Sequence, residues 1–208
     1  MKIAVVSDFD GTVSETDIGD MLLLEFGKAT IEEIEQSYRQ GVNLEQWMKV
    51  YFSKMKDISL TEIERVINEK VRARDGFVET LRFFSDNNIP FEIVSGGLDL
   101  YIDAFMRKYG VSFSGFYGRF NHGDITYDFL NGMSLYEFKA SRVINYRNLG
   151  YTVVFLGDSY NDYQAAVAAD IRFATLRLAK ILSDEKREFI SYSTFYEVKS
   201  IINEALSF

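Results

Sequence analysis

The chain has 208 residues, 47% of them apolar and 26% charged, enough to bury a sizeable core in one large domain or in a domain with an insertion. A formal charge of −8 disfavours nucleic acid as a partner, because phosphate backbones select basic surfaces. The lack of cysteine excludes disulfides and thiolate chemistry, and no apolar run approaches the ~20 residues that cross a bilayer, so a cytoplasmic protein with no membrane partner is expected.

Ile3-Ala4-Val5-Val6 predicts a buried parallel strand that starts too early to leave room for a signal peptide. It delivers Asp8-Phe9-Asp10-Gly11-Thr12, two carboxylates at i and i+2 followed by a glycine that marks where the chain turns away. Both acids are then expected at the mouth of a sheet, on the edge where open α/β folds bind ligands. Like charges this close require a cation, a shared proton or solvent. A hard divalent ion such as Mg²⁺ suits carboxylate and carbonyl oxygens. One acid could then attack a phosphorus atom while its neighbour handles a proton, the alternative being a solvated turn.

From Ser14 to about Arg74 the periodicity is helical throughout. Thr16–Phe26 carries Ile18, Met21, Leu22 and Leu24 and stops at Gly27. Thr30 and Glu33 form a capping-box signature for a second helix ending by Gly41, and Asn43 caps a third with Leu44, Trp47, Met48, Tyr51, Phe52 and Met55 on one stripe. A fourth starts near Leu60. These residues predict a small helical cap, 14–74, inserted after the first strand of a core formed by 1–13 and 75–208. Trp47 and the methionines read as cap core, with pocket lining the alternative. Arg72 and Arg74 read as solvated surface.

After Asp75-Gly76 strands and helices alternate. A helix over Phe77–Asp86 leads to strand Phe91–Val94, which ends at Ser95-Gly96-Gly97, and a further helix starts at Asp99. Phe116–Phe129 reads as a hairpin around Asn121-His122-Gly123-Asp124, with His122 a solvent-exposed turn residue. Ser134 and Glu137 open a helix to Leu149, and strand Tyr151–Leu156 delivers Gly157-Asp158-Ser159-Tyr160-Asn161-Asp162. A helix over Tyr163–Ala169, strand Ile171–Thr175 and two terminal helices follow, with Lys180–Glu188 an exposed charged face. The alternation predicts an α/β fold, a Rossmann-like parallel sheet with helices on both faces.

Three strands thus end in unusual chemistry. Ser95-Gly96-Gly97 offers a hydroxyl and backbone N–H groups to an anion, with a plain tight turn as the alternative. Asp158 lies where a sheet-edge metal would sit, and Asp162 stands one turn beyond; helix capping is the competing account.

In order along the chain, Asp8-Phe9-Asp10-Gly11-Thr12, Val94-Ser95-Gly96-Gly97, Lys139 and Gly157-Asp158-Ser159-Tyr160-Asn161-Asp162 resemble the four motifs of the haloacid dehalogenase (HAD) superfamily. The resemblance spans the whole length, and the helical insertion falls where the phosphoserine-phosphatase-like branch has its own. It implies a phosphatase in which Asp8 forms an aspartyl phosphate and Asp10 acts as acid and then base. Mg²⁺ would be held by Asp8, the Asp10 carbonyl and Asp158, with Asp162 ordering its waters. Thr12, Ser95, Gly96 and Lys139 would contact the phosphate, and Asn161 would position Asp158 or the substrate.

The resemblance also bears on the substrate, expected to be a small phosphorylated metabolite. Phosphoserine phosphatases recognise their amino acid with a glutamate nine residues after the nucleophile and an arginine in the cap. Here those places fall on Asp17 and Tyr51, which leaves a carboxylate without its cation. The chain is more similar to the methionine-salvage phosphatases of 2-hydroxy-3-keto-5-methylthiopentenyl-1-phosphate, through Asp17, Ser95 to Asp99, and Gly157 to Asp170. It departs from them at Tyr136-Glu137-Phe138, where that family often carries cysteines. Phosphoserine phosphatase, a HAD-type phosphosugar mutase and, outside enzymes, a phosphoryl-accepting signalling domain are the alternatives. The sequence leaves monomer and homodimer equally open.

Overall fold

A computed structural model describes residues 2–39 and 42–206, and the expected helix stop at Gly41 lies outside them. Strand β1 (Ile3–Ser7) is buried at every position, the signature of a strand covered on both faces. Four α-helices follow within residues 18–70: α1 (Ile18–Glu25), α2 (Ile31–Ser37), α3 (Leu44–Phe52) and α4 (Leu60–Lys70). Asp17, Thr30, Asn43 and Ser59 cap them by accepting from backbone N–H groups in the first turn, and the predicted Thr30–Glu33 capping box is formed. The chain enters and leaves this segment through a short two-stranded neck, where Ser14 bridges Ala73 and Glu15 N donates to Arg72 O.

The remainder alternates: α5 (Phe77–Asp86), β2 (Phe91–Leu98), α6 (Asp99–Tyr109), β3 (Ser114–Asn121), β4 (Asp124–Thr126), α7 (Leu135–Asn148), β5 (Thr152–Gly157), α8 (Tyr163–Ala168), β6 (Ile171–Ala174), α9 (Leu176–Asp184), β7 (Ile190–Ser191) and α10 (Phe195–Leu206). Among the described residues the strands form one seven-stranded sheet in the order β4-β3-β2-β1-β5-β6-β7, parallel except for β4. From β1 the chain builds outward through β2 and β3, then returns to β1's other flank with β5. The carboxyl end of β1 is therefore a topological switch point. Right-handed crossovers running in opposite directions put helices on opposite faces. In accord with that, α5 packs on α10 in one layer and α7 on α8 in the other. No helix among the described residues is long and apolar enough to cross a membrane.

Two departures from the expected elements stand out. Ser95-Gly96-Gly97 is not a turn after the strand but part of β2, which runs on to Leu98 and pairs it with Gly118 across a register irregularity. The glycines permit this because their neighbours leave no space: a Cβ on Gly96 would lie 2.6 Å from Leu44, and one on Gly97 would lie 2.5 Å from the Tyr101 hydroxyl. The edge strand β7 has two residues, too few for any periodic signal. His122 occupies the hairpin tip as expected, exposed and at φ 50°.

Candidate active site

Beyond β1, Asp8 N continues the ladder by donating to Leu156 O at 2.9 Å, after which the chain curls back. Val13 N and Ser14 N both donate to Phe9 O, and Gly11 takes φ 69°, a left-handed conformation that costs a side-chain-bearing residue energy. Phe9 is fully buried, edge-on to Phe105 at 5.0 Å, and such burial contributes about 1.5–3 kcal/mol. This apolar pin between the two acids fixes the turn, leaving Asp8 and Asp10 to line the cavity above the sheet edge.

The cavity has a volume of about 60 Å³, space for roughly two waters. Asp8, Asp10, Ser95, Gly96, Lys139, Asp158 and Asn161 all line it. The turns after β1 and β5, the glycine stretch within β2 and a lysine on α7 are thus brought together around one cavity. Thr12 is the exception: it is fully buried, does not line the cavity, and its hydroxyl has no hydrogen-bond partner among the described residues. The turn at Gly11 carries it past the sheet edge into the interior.

Lys139, 1% exposed on α7, sits between Asp162 Oδ1 at 2.7 Å and Asp8 Oδ1 at 3.0 Å. Burial works against its ammonium, but the two carboxylates outweigh that and raise its pKa, so the charge is held. Asp162 spends both oxygens on the protein. Its Oδ2 accepts from Asp158 N (3.0 Å), Ser159 N (2.9 Å) and Ser159 Oγ (3.1 Å), while Oδ1 takes Lys139. It therefore orients the lysine and the Asp158 turn. The Asp158 side-chain carboxylate, on a residue 7% exposed, accepts no hydrogen bond among the described residues, whereas its backbone carbonyl accepts from Leu178 N at 2.8 Å. Burial, then Asp162, then Asp8, push its pKa well above the carboxylate range. Burial and Asp162 likewise push Asp8 up to about 7, against the pull of Lys139.

Three buried carboxylates face a single ammonium, and single oxygens of Asp8, Asp158 and Asp162 lie within 4.8 Å of one another. A divalent cation fits this donor set: it is all oxygen, it is short of positive charge, and the Asp158 carboxylate has no hydrogen-bond donor among the described residues.

Asp10 faces the other side of the cavity. Ile18 N donates to its Oδ1 at 2.9 Å and the buried Tyr101 hydroxyl to its Oδ2 at 2.8 Å. Burial and then Asp17 raise its pKa well above the usual range, which favours a carboxyl that carries a proton. Beyond it the wall consists of Asp17, Asp20, Tyr38, Trp47 and Met48. The Tyr38 hydroxyl bridges the two acids, donating to Asp17 at 3.0 Å and to Asp20, and Arg177 of α9 stacks on its ring at 3.9 Å. Trp47 and Met48 thus line the cavity besides packing in the core. Tyr51 does not line it, and stacks on Trp47 at 4.4 Å.

Asp20, Tyr38 and Tyr101 are cavity residues that the sequence reading missed. Asp20 resembles an ordinary first-turn helix acid, and the tyrosines resemble core. Arg74, read as solvated surface, is instead half-buried, with its guanidinium on main-chain carbonyls of the Asp10 turn.

The fold is of the doubly wound α/β class, with a buried acidic cluster and a cavity at the carboxyl edge of the sheet. A family model for haloacid dehalogenase-like hydrolases matches residues 5–166, and the chain belongs to that family. It is 27% identical to a 2-hydroxy-3-keto-5-methylthiopentenyl-1-phosphate phosphatase of Lysinibacillus sphaericus, over 99% of this chain and 96% of that protein. It is 26% identical to the phosphatase of the same name from Microcystis aeruginosa, over 97% and 98%. Among solved structures it resembles a substrate-bound phosphoserine phosphatase complex, with TM-score 0.75 and 21% identity over 97% of this chain and 98% of that one. A phospho-aspartyl intermediate analogue of phosphoserine phosphatase superposes with TM-score 0.74, also at 21% identity, over 96% and 98%.

Proposed function

We propose that the chain is a Mg²⁺-dependent phosphomonoester hydrolase of the cytoplasm, acting on a small phosphorylated metabolite. The observation that carries the reading is the Lys139 ammonium, buried between Asp8 and Asp162 with Asp158 beside them. In this reading a carboxylate oxygen of Asp8 attacks phosphorus, the P–O bond to the leaving group breaks, and Asp10 gives that oxygen its proton. Asp10, hydrogen-bonded by Tyr101, then takes a proton from the water that attacks the aspartyl phosphate, returning Asp8 and releasing inorganic phosphate. Lys139, Ser95 and the Gly96 N–H would bind phosphoryl oxygens in this reading, supported by their lining the cavity that Asn161 also borders. Asp8, Asp158 and the Asp10 carbonyl would hold Mg²⁺, with Asp162 fixing Lys139 and the loop around them. The ion supplies neutralisation of phosphoryl charge when bound.

Residues 14–74 serve in this reading as the cap that selects the leaving group, over a core of 1–13 and 75–208. The preferred substrate is 2-hydroxy-3-keto-5-methylthiopentenyl-1-phosphate, the compound in the relatives' names. Lys139 is the one cation among the described cavity residues, and it is already paired. Trp47 and Met48 offer an apolar wall to a thioether tail. Phosphoserine is the second reading, since Asp17 and Asp20 could meet its ammonium; its carboxylate finds no cation there.

The experiment is phosphate release from p-nitrophenyl phosphate with Mg²⁺ and with EDTA, followed by a panel containing both named substrates. Turnover that needs Mg²⁺ and favours the thioether substrate is the expected result. No phosphate release from any member would overturn the reading, and so would release unaffected by EDTA.

A further inference from the structure

Arg74 follows directly on the neck, where Arg74 N donates to Val13 O at 2.8 Å beside the Ser14–Ala73 bridge. Its guanidinium reaches back under the turn that leaves Asp10. Nη2 donates to Gly11 O at 2.6 Å and Nε to Thr12 O at 2.8 Å, with a longer contact from Nη1 to Ser193 O at 3.4 Å. The buried Tyr192 ring flanks the group, with its centroid 5.4 Å from the guanidinium carbon. One planar fork therefore grips two consecutive carbonyls, which a lysine's point charge cannot do.

The other side of the same turn abuts the carboxylates. A Cβ built on Gly11 would stand 2.5 Å from Asp158 Oδ2, so main chain and carboxylate are already in close contact. Asp10 begins the turn, and its two oxygens are tied to Ile18 and Tyr101. The turn is thus held between Arg74 behind it and Asp158 in front. A shift of either carbonyl would bear on Asp10, through the chain, and on Asp158, through the contact with Gly11.

We propose that Arg74 is a positioning residue: by clamping the Gly11 and Thr12 carbonyls it sets the depth of the turn, and so the registration of Asp10 and Asp158. It touches neither substrate nor reacting atom. The proposal rests on the reading of Asp8 and Asp10 as the reacting pair, and it extends to an arginine outside all four motifs.

The test compares wild type with Arg74→Ala and Arg74→Lys. Turnover of p-nitrophenyl phosphate, Mg²⁺ affinity by calorimetry and thermal melting are measured on each. Residues that orient ligands cost about 10- to 100-fold in affinity or activity when removed. Falls of that size in kcat and in Mg²⁺ affinity are expected for Arg74→Ala, with KM nearly unchanged. Added guanidinium ion at millimolar concentration should restore part of the turnover without restoring the melting temperature, and Arg74→Lys should stay impaired. Wild-type kcat and Mg²⁺ affinity in variants that only melt earlier would overturn the proposal. If Arg74→Ala does not fold, a folded Arg74→Lys with wild-type values overturns it equally. A wild-type protein that releases no phosphate would instead sink the reading of function, and the calorimetric comparison would still decide the clamp.

Discussion

Gly11 and Asp158 stand so close that a Cβ on the glycine would come within 2.5 Å of Asp158 Oδ2. Gly11 also takes φ 69°, so Gly11→Ala meets both a clash and a strained backbone. Such conformations cost about 1–3 kcal/mol, and the added methyl pushes against a carboxylate assigned to the metal. The variant should melt earlier and need more Mg²⁺ for half-maximal turnover. Titration of activity with Mg²⁺ checks this; an unchanged midpoint would contradict it.

Asp8→Asn removes the attacking oxygen while keeping a side chain of the same shape beside Lys139. Units of this kind lose several orders of magnitude when the nucleophile goes, and further losses do not add. Turnover should fall below detection with the melting temperature within a few degrees of wild type, and the Asp8→Asn/Asp10→Asn pair should be no worse. Residual turnover near the wild-type level would exclude Asp8 as the nucleophile.

Lys139→Met leaves Asp8, Asp158 and Asp162 buried with no ammonium among them. Breaking a buried pair by removing one partner costs about 3–5 kcal/mol, or roughly 6–20 °C in a chain of this size. Scanning calorimetry without metal should show that loss, and Mg²⁺ should recover part of it. Melting at the wild-type temperature without metal would mean that the carboxylates are relieved by some other route.

Asp20 gives a pH dependence of stability. Burial and then Asp17 push its pKa up to about 8, against Tyr38 and Arg177. The unfolded value is about 4, so the folded state prefers the protonated acid. The resulting penalty is absent below pH 4 and builds as pH rises towards 8. Asp20→Asn removes the titrating group while keeping an acceptor for Tyr38. Its melting temperature relative to wild type should therefore climb between pH 4 and pH 8; a difference flat across that range would refute the assignment.

Much of the catalytic edge was legible because its chemistry is local. Strand ends bearing Asp8, Ser95 and Asp158 announce themselves by an apolar run giving way to acids, hydroxyls and glycines. Lys139 was reached through the resemblance alone, since a lysine one turn into a helix carries no signal of burial. Thr12 shared a motif with Asp10 but not a direction, because a glycine turn intervenes. Tyr38, Tyr101 and Arg74 depend on contacts across 21, 91 and 63 positions, which only the folded chain displays. The continuation of β2 through its glycines was hidden for the same reason: it is Gly118 across the sheet that keeps Leu98 extended.

The central place of β1 has a consequence for how the molecule is made. Its neighbours start at Phe91 and Thr152, so Ile3 must wait for Thr152 to leave the ribosome before that edge is covered. At about 5–20 residues per second, the delay is on the order of 10–30 s. For that interval an apolar strand is exposed on a nascent chain, and every contact that completes it is long-range and slow to form. The strand that carries Asp8 to the sheet edge is thus also one that stays incompletely covered until most of the chain has been made.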